Sequence, residues 1–348
     1  MRGVCDGPRM SAVPVIVLSG FLGAGKTTMV NHLLRSGARI GVVVNDFGAV
    51  SVDALLVAGS VDGAVRLGNG CICCTADADT LGDVLAGLVS PSVALDAIVV
   101  ETSGLAEPVA VVRMITGSAD PRIGYGGLVY VVDAENVDAL RPDHPEIDRH
   151  VAVADLVAVS KVDRVDDARR DAVLAGVRSV NPTAAVTEVV DGRIDPSLLL
   201  DVPDRRDDGP RQLELADLLA ADSHDHSGHS DHAHARYASV ALTAGGALHP
   251  RRLAALLERP PTGAYRIKGV VRLPGRRGPL VVHAVGGFVD VAPHRGRSSA
   301  GDLVVIGAGM NTEEVRAVLD DLPVRDDESV DGRAEIAVTR YLRTGEGR

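Results

Sequence analysis

Eight residues, Gly20-Phe-Leu-Gly-Ala-Gly-Lys-Thr27, fill every position of the pattern G-x-x-x-x-G-K-[ST]. Such a loop wraps polyphosphate: its glycines let backbone N–H groups turn inward around an anion, and the helix that follows points its positive end at the same spot. Gly20, Gly23, Ala24, Gly25 and Thr28 would line the cradle. Lys26 would reach the β- and γ-phosphates, and the Thr27 hydroxyl would hold Mg2+. Farther along, the apolar run Leu95–Val100 ends in Glu101-Thr102-Ser103-Gly104. An acid at such a strand tip can hold the magnesium through water, so Glu101 organises the metal rather than acting as a base, and the Gly104 N–H can reach a γ-phosphate.

A second strand-like run, Asp155–Val159, ends in Ser160-Lys161-Val162-Asp163. The Asp163 carboxylate can accept from both the ring N–H and the exocyclic amine of guanine, whereas adenine would turn a lone pair toward it. Polar mismatches of this kind discriminate strongly, and they point to GTP. The Lys161 stem can lie along the base with its head near the loop. Guanine sites usually carry Asn at the position of Ser160, so one base contact is weaker here.

Three of the four cysteines fall in Gly70-Cys71-Ile72-Cys73-Cys74. In a reducing cytoplasm they would remain thiols, and three thiols within four residues can gather on a soft or borderline cation such as zinc or copper(I). No second Cys-x-x-Cys pair exists to close a tetrahedron, which favours an open, three-ligand site; the plain alternative is three small buried side chains. Between Ser223 and His234 the sequence reads SHDHSGHSDHAH, placing His224, His226, His229, His232 and His234 among aspartates with no hydrophobic period. We expect a solvated tract that captures divalent ions loosely, an accessory to the cysteines. His32, His144, His150, His249, His283 and His294 are scattered and read as surface or packing residues.

These groups need a scaffold. Apolar runs at Val13–Leu18, Ile40–Asn45, Leu95–Val100, Leu128–Val132, Asp155–Val159 and Ala185–Val190 alternate with helix-like stretches, beginning with Thr27–Arg35. The alternation predicts an α/β fold of P-loop type, a mostly parallel sheet flanked by helices, with the motifs at the carboxyl ends of its strands. Past a charged linker the pattern changes. Strands are predicted at Tyr237–Thr243, Tyr265–Arg272, Leu280–Val285, Phe288–Val291 and Leu303–Ile306, with helices at Pro250–Leu257 and Thr312–Leu322. This is a smaller C-terminal α+β domain. The expected organisation is a flexible terminus at 1–12, a nucleotide domain at 13–202, a linker with the histidine tract at 203–235, the second domain at 236–324, and a loose or partly helical tail at 325–348. Translation could start at Met1 or Met10.

With these motifs in hand, the chain resembles the CobW-type GTPases, in the class of UreG and HypB. The resemblance rests on GFLGAGKTT, Asn45-Asp46-Phe47-Gly48, GCICC, ETSGLAEP at Glu101–Pro108, SKVD, and a histidine run before a smaller domain. It implies slow GTP hydrolysis, binding of zinc or cobalt by Cys71, Cys73 and Cys74, and transfer of the metal to a client apo-protein. The family commonly has N-E-F-G-E where this chain has Asn45–Ala49. Asp46 keeps a metal-binding carboxylate one methylene shorter, and Ala49 loses the second. Asp46 through Leu56 would form a first switch and Gly104–Pro108 a second, with the cysteines between them. No residue stands out as a water-activating base, so intrinsic turnover should be slow until a client completes the site.

Composition is consistent with this. With 348 residues there is room for two cores; the sequence is 46% apolar but only 2% aromatic, so Val, Leu, Ile and Ala must build them. A formal charge of -11 argues against nucleic acid as a partner. No run approaches the ~20 apolar residues that span a bilayer, so a cytoplasmic protein without membrane contact is expected. Its oligomeric state would depend on nucleotide or metal. Other readings are a cobalt-handling protein for cobalamin synthesis or nitrile hydratase activation, a metal buffer with a weak GTPase, or a kinase on the same loop.

Overall fold

The computed structural model describes residues 12–44, 56–58, 78–89, 95–104, 106–200, 237–294, 302–325 and 327–342. Its first half is a seven-stranded sheet built from β1 (Val13–Gly20), β2 (Ile40–Val44), β3 (Leu56–Ala58), β4 (Ala97–Glu101), β5 (Ile123–Asp133), β6 (Leu156–Ser160) and β7 (Ala185–Val189). The order is β3-β2-β4-β1-β5-β6-β7. All neighbours are parallel except β3, which pairs antiparallel to β2 at the edge. That three-residue strand escaped the sequence reading, because Leu-Val-Ala is too short to carry a period.

Strands buried on both faces need apolar residues at every position, and β1 shows why. Ile16 and Leu18 face the cluster containing Met29, Val30 and Leu33 of α1 (Lys26–Leu34). Val15 and Val17 face the opposite layer, filled by Leu81, Leu85 and Leu88 of α2 (Ala78–Leu88) and Val111 and Ile115 of α3 (Pro108–Thr116). A further layer covers β5 and β6 with α4 (Val137–Leu140), α5 (Glu146–Val153) and α6 (Asp167–Val180). α7 (Pro196–Leu199) closes this half, capped by the Asp195 carboxylate. The order reverses at β1, flanked by β4 on one side and β5 on the other, and the crevice at such a reversal is where this architecture binds ligands.

The second half is an antiparallel sheet in the order β11-β10-β9-β12-β8. It comprises β8 (Tyr237–Thr243), β9 (Ala264–Val271), β10 (Leu280–Val285), β11 (Phe288–Pro293) and β12 (Asp302–Ala308). One face packs on α8 (Pro250–Glu258) and α9 (Thr312–Asp320), the latter capped by Asn311, as its sequence suggests. The other face docks on the first sheet: Tyr265, Val285, Val304 and Ile306 join the cluster around α1. Tyr265 Oη donates to Gly126 O at 2.8 Å, near the amino end of β5.

Within the stretch expected to be a loose or partly helical tail, residues 327–342 are partly helical and packed. Ala334 and Val338 are buried, the latter in the second core, and α10 (Ile336–Thr339) lies against α8. Arg252 of α8 grips the Glu328 carboxylate at 2.7 and 2.8 Å and holds its pKa down to about 2 through those hydrogen bonds. The Val291 N–H of edge strand β11 donates to Tyr341 O, and Leu342 bridges to Val291. At the other edge, Arg316 of α9 donates to Ala241 O on β8. Both edges of this sheet are thus partly covered, which discourages strand pairing between copies.

Candidate nucleotide site

The loop from β1 to α1 has the geometry that phosphate requires. Gly23 and Gly25 have φ of 76° and 99°, and a Cβ on either would meet nothing within 4 Å. Left-handed backbone and open space together explain glycine at both positions. Gly25 is the N-cap of α1 and makes no side-chain cap, so the first-turn N–H groups have no side-chain acceptor from their own cap. Gly20 answers a different demand: a Cβ there would lie 2.6 Å from Val131 O on β5. The Ala24 N–H closes a turn onto Phe21 O, and Gly192 packs against the backbone of Thr28.

Lys26 is buried to 8% exposure, its ammonium donating to Gly20 O at 2.8 Å and Phe21 O at 3.2 Å. The Thr27 hydroxyl donates to Glu101 Oε1 at 2.7 Å. Two residues 74 apart, each read from sequence as a magnesium partner, therefore meet where the first turn of α1 faces the tip of β4. A hydroxyl and a carboxylate are the oxygen donors magnesium takes beside a substrate's phosphates, so the pair fits that ion. Bound there, it would neutralise charge on the β- and γ-phosphates. Glu101 is paired in register with Leu18 on one side and Val44 on the other. The Thr102 N–H donates to Leu18 O, and Gly104 lies on the loop, where a Cβ would come within 2.7 Å of Leu22 N.

The base-reading segment joins the same loop from β6. Ser160 is buried, and its Oγ donates to Ala24 O at 2.7 Å while lying 3.2 Å from Val132 O. The hydroxyl in place of the usual Asn thus serves the phosphate loop. Lys161 adopts a left-handed φ of 56°, and its ammonium pairs with Asp133 Oδ2 at 2.6 Å. Its head is held at the tip of β5. Asp163 follows on an exposed 3-10 turn, Val162–Arg164.

Asp133 was missed by the sequence reading. It terminates β5 as Glu101 terminates β4, so the same acid-at-a-strand-tip signal could have found it. Burial works to raise its pKa, but hydrogen bonds from Asn136, Lys161 and the Glu135 N–H outweigh it and keep the carboxyl below its usual value. His144 and His150 take packing roles, as expected of them. His144 packs on Phe21 of the phosphate loop with ring centroids 4.5 Å apart, and His150 meets Glu107. His249 keeps the plain role expected of it, accepting from the Arg252 N–H as the N-cap of α8.

Asp46, Cys71, Cys73, Cys74, His224, His226, His229, His232 and His234 lie outside the described residues. Among the described residues, no group of three or more His, Cys, Asp or Glu side chains is placed to hold a metal. None of the described helices is long and apolar enough to cross a membrane.

A glycine cradle, a lysine, a hydroxyl–acid pair and a Ser-Lys-x-Asp segment converge at the carboxyl ends of a parallel sheet. They define a phosphate-loop nucleotide hydrolase of the GTPase type. Residues 14–188 match the family model "CobW/HypB/UreG, nucleotide-binding domain", and residues 237–322 match "Cobalamin synthesis protein cobW C-terminal domain". The chain belongs to this family, and it is a GTPase. It is 29% identical over 349 aligned residues to the zinc chaperone CobW of Sinorhizobium sp, covering 88% of this chain and 96% of that one. With the zinc chaperone YjiA of Escherichia coli strain K12 it shares 32% over 197 residues, 55% of this chain and 61% of the relative. The crystal structure of Zn(II)-bound YjiA GTPase from E. coli aligns over 90% of this chain and 99% of that chain, at 25% identity and a TM-score of 0.43.

Proposed function

We propose that this GTPase is a metallochaperone: it binds zinc through Cys71, Cys73 and Cys74 with help from Asp46, and passes the ion to a client apo-protein in step with its GTP or GDP state. One observation carries the coupling. Val44, the last residue of β2, sits in register with Glu101, so the chain leaves the sheet toward Asp46 directly beside the Thr27–Glu101 pair. A γ-phosphate and magnesium that reorder this tip would act on a segment that runs on to the cysteines. Zinc is favoured over cobalt by thiolate chemistry and by relatives named zinc chaperones.

In this reading Gly20 through Thr28 hold the phosphates, Lys26 neutralises charge on the transferred group, Thr27 and Glu101 hold magnesium, and Asp163 reads guanine. Gly104 contacts the γ-phosphate. The histidine tract collects zinc weakly, turnover is slow without the client, and the protein works in the cytoplasm. Linkage requires that whatever factor GTP applies to zinc affinity, zinc applies to GTP affinity, with couplings of about 1–3 kcal/mol typical.

The test is zinc affinity by chelator competition in the GDP form and in a form loaded with a non-hydrolysable GTP analogue. We expect a five- to hundredfold difference, a range set by about 1–3 kcal/mol of coupling. Cys73→Ser with Cys74→Ser should abolish both the tight site and the difference, while GTP binding persists. Equal zinc affinity in the two nucleotide states would defeat the proposal.

A further inference from the structure

Glu107 occupies the N-cap position of α3, and its carboxylate makes no capping bond, the favoured caps being the shorter Ser, Thr, Asp and Asn. It reaches across to α5 instead, where His150 Nε2 lies 3.3 Å from Glu107 Oε2. The two ends of the contact differ in exposure: the Glu107 side chain is 59% exposed and that of His150 is 7% exposed. The imidazole is fixed from behind by the buried Tyr130 of β5, ring centroids 5.6 Å apart and edge to face. A buried ring with one nitrogen turned toward a surface carboxylate can serve as a fixed post for the segment that carries Glu107.

This segment is the stretch that leaves β4. Its near end is fixed by the Thr102 N–H on Leu18 O, its middle rests Gly104 against Leu22 of the phosphate loop, and the Ala106 N–H turns back onto Ser103 O. Glu107 is the far end. Two residues ahead of α5, His144 packs on Phe21, so the turn that leads into this helix touches the phosphate loop while the helix itself meets Glu107 through His150.

We propose that His150 is a positioning residue for recognition of the γ-phosphate: acting through Glu107, it anchors the far end of this segment and so sets Gly104 over the loop. The proposal deepens the reading of Gly104 as the γ-phosphate contact and rests on it. GDP has no group at that point, so the anchor should matter for GTP and not for GDP.

The experiment measures affinities of the full-length chain for a fluorescent GDP and a fluorescent non-hydrolysable GTP analogue. The variants are His150→Ala, His150→Gln, Glu107→Ala and the double alanine variant. Loss of this partly exposed side-chain contact should weaken the analogue by about fivefold and leave GDP unchanged. The double variant should lose no more than either single one, and His150→Gln, which keeps an N–H donor, should bind the analogue nearly as wild type. Glu107→Ala alters an exposed residue and decides the matter if His150→Ala does not fold. Equal losses for GDP and analogue, additive losses, or no loss in folded variants would overturn the anchor. Gly104→Ala is the control for the underlying reading. A selective effect there with none at Glu107 defeats the anchor alone, and no selective effect at Gly104 removes the reading beneath it.

Discussion

The two ends of the parallel sheet use glycine in opposite ways. At the carboxyl end, Gly23 and Gly25 look onto empty space. At the amino end, near the start of β5, a Cβ on Gly127 would fall 2.2 Å from Tyr265 Oη and 2.8 Å from Val285 Cγ1. A Cβ on Gly286 would collide with Asp155 Oδ1 at 1.5 Å. One end keeps room for a ligand, and the other gives its room to the second domain. Missing side chains therefore mean binding where nothing fills the gap and cementing where a tyrosine does.

The severest test of this contrast is Gly127→Val. Overpacking against a buried tyrosine, at a φ of 110° that suits only glycine, should cost about 3 kcal/mol or more. Denaturant unfolding should show that loss. Gly23→Ala should cost no more than about 1–2 kcal/mol of backbone strain, while guanine nucleotide binding falls sharply. A Gly127→Val protein as stable as wild type would end the distinction.

Next in size is Lys26→Ala, which should slow phosphate release by about a hundredfold, as removal of an oxyanion-stabilising donor does elsewhere. Its melting temperature should stay close to wild type, since the site end contributes little to the core.

Asp155 gives a smaller effect at the cemented end. Its Oδ2 accepts from Tyr125 Oη at 2.5 Å and from the Leu128 N–H at 2.8 Å, so Asp155→Ala strands two donors and should cost about 2 kcal/mol. Burial raises its pKa above the ordinary carboxylate value of 3.8, against the pull of those hydrogen bonds. The folded chain then holds this proton more tightly than the unfolded one. The associated stability is full below 3.8 and is lost as pH rises through the raised folded value. Asp155→Asn, which does not titrate, should lack that loss; parallel unfolding-versus-pH curves for the two proteins would contradict it.

The smallest effect should come from deleting Ser223–His234. Folding and basal GTP turnover should change little, while metal titration shows fewer weakly bound ions per chain.

The carboxyl end was readable in the sequence because its signals are local. Gly20–Thr27 carries its own pattern, and Glu101 and Ser160-Lys161-Val162-Asp163 each follow an apolar run that announces a strand. The strands were found within a few residues for the same reason, since two-sided burial leaves Val13–Leu18 or Leu128–Val132 almost no polar position. What escaped depends on partners distant in sequence. Lys161 meets Asp133, His150 meets Glu107, and Tyr265 reaches Gly126 O across 139 residues. None of these residues advertises its partner by spacing. The packing of residues 327–342 escaped because the apolar run Ile336–Val338 is only three residues long in a charged stretch, and the burial of Val338 depends on α8 and the edge of β11.

The placement of β1 between β4 and β5 also sets a timetable. The phosphate loop leaves the ribosome before either strand that supports it, for both lie far downstream, β5 ending more than a hundred residues later. At roughly ten residues per second, Gly20–Thr27 must wait on the order of ten seconds before its scaffold exists. Parallel pairing over such separations is also slow to close. During that interval Val13–Leu18 is an apolar strand without neighbours, so the segment that ends as the best-supported part of the molecule begins as its most vulnerable nascent one.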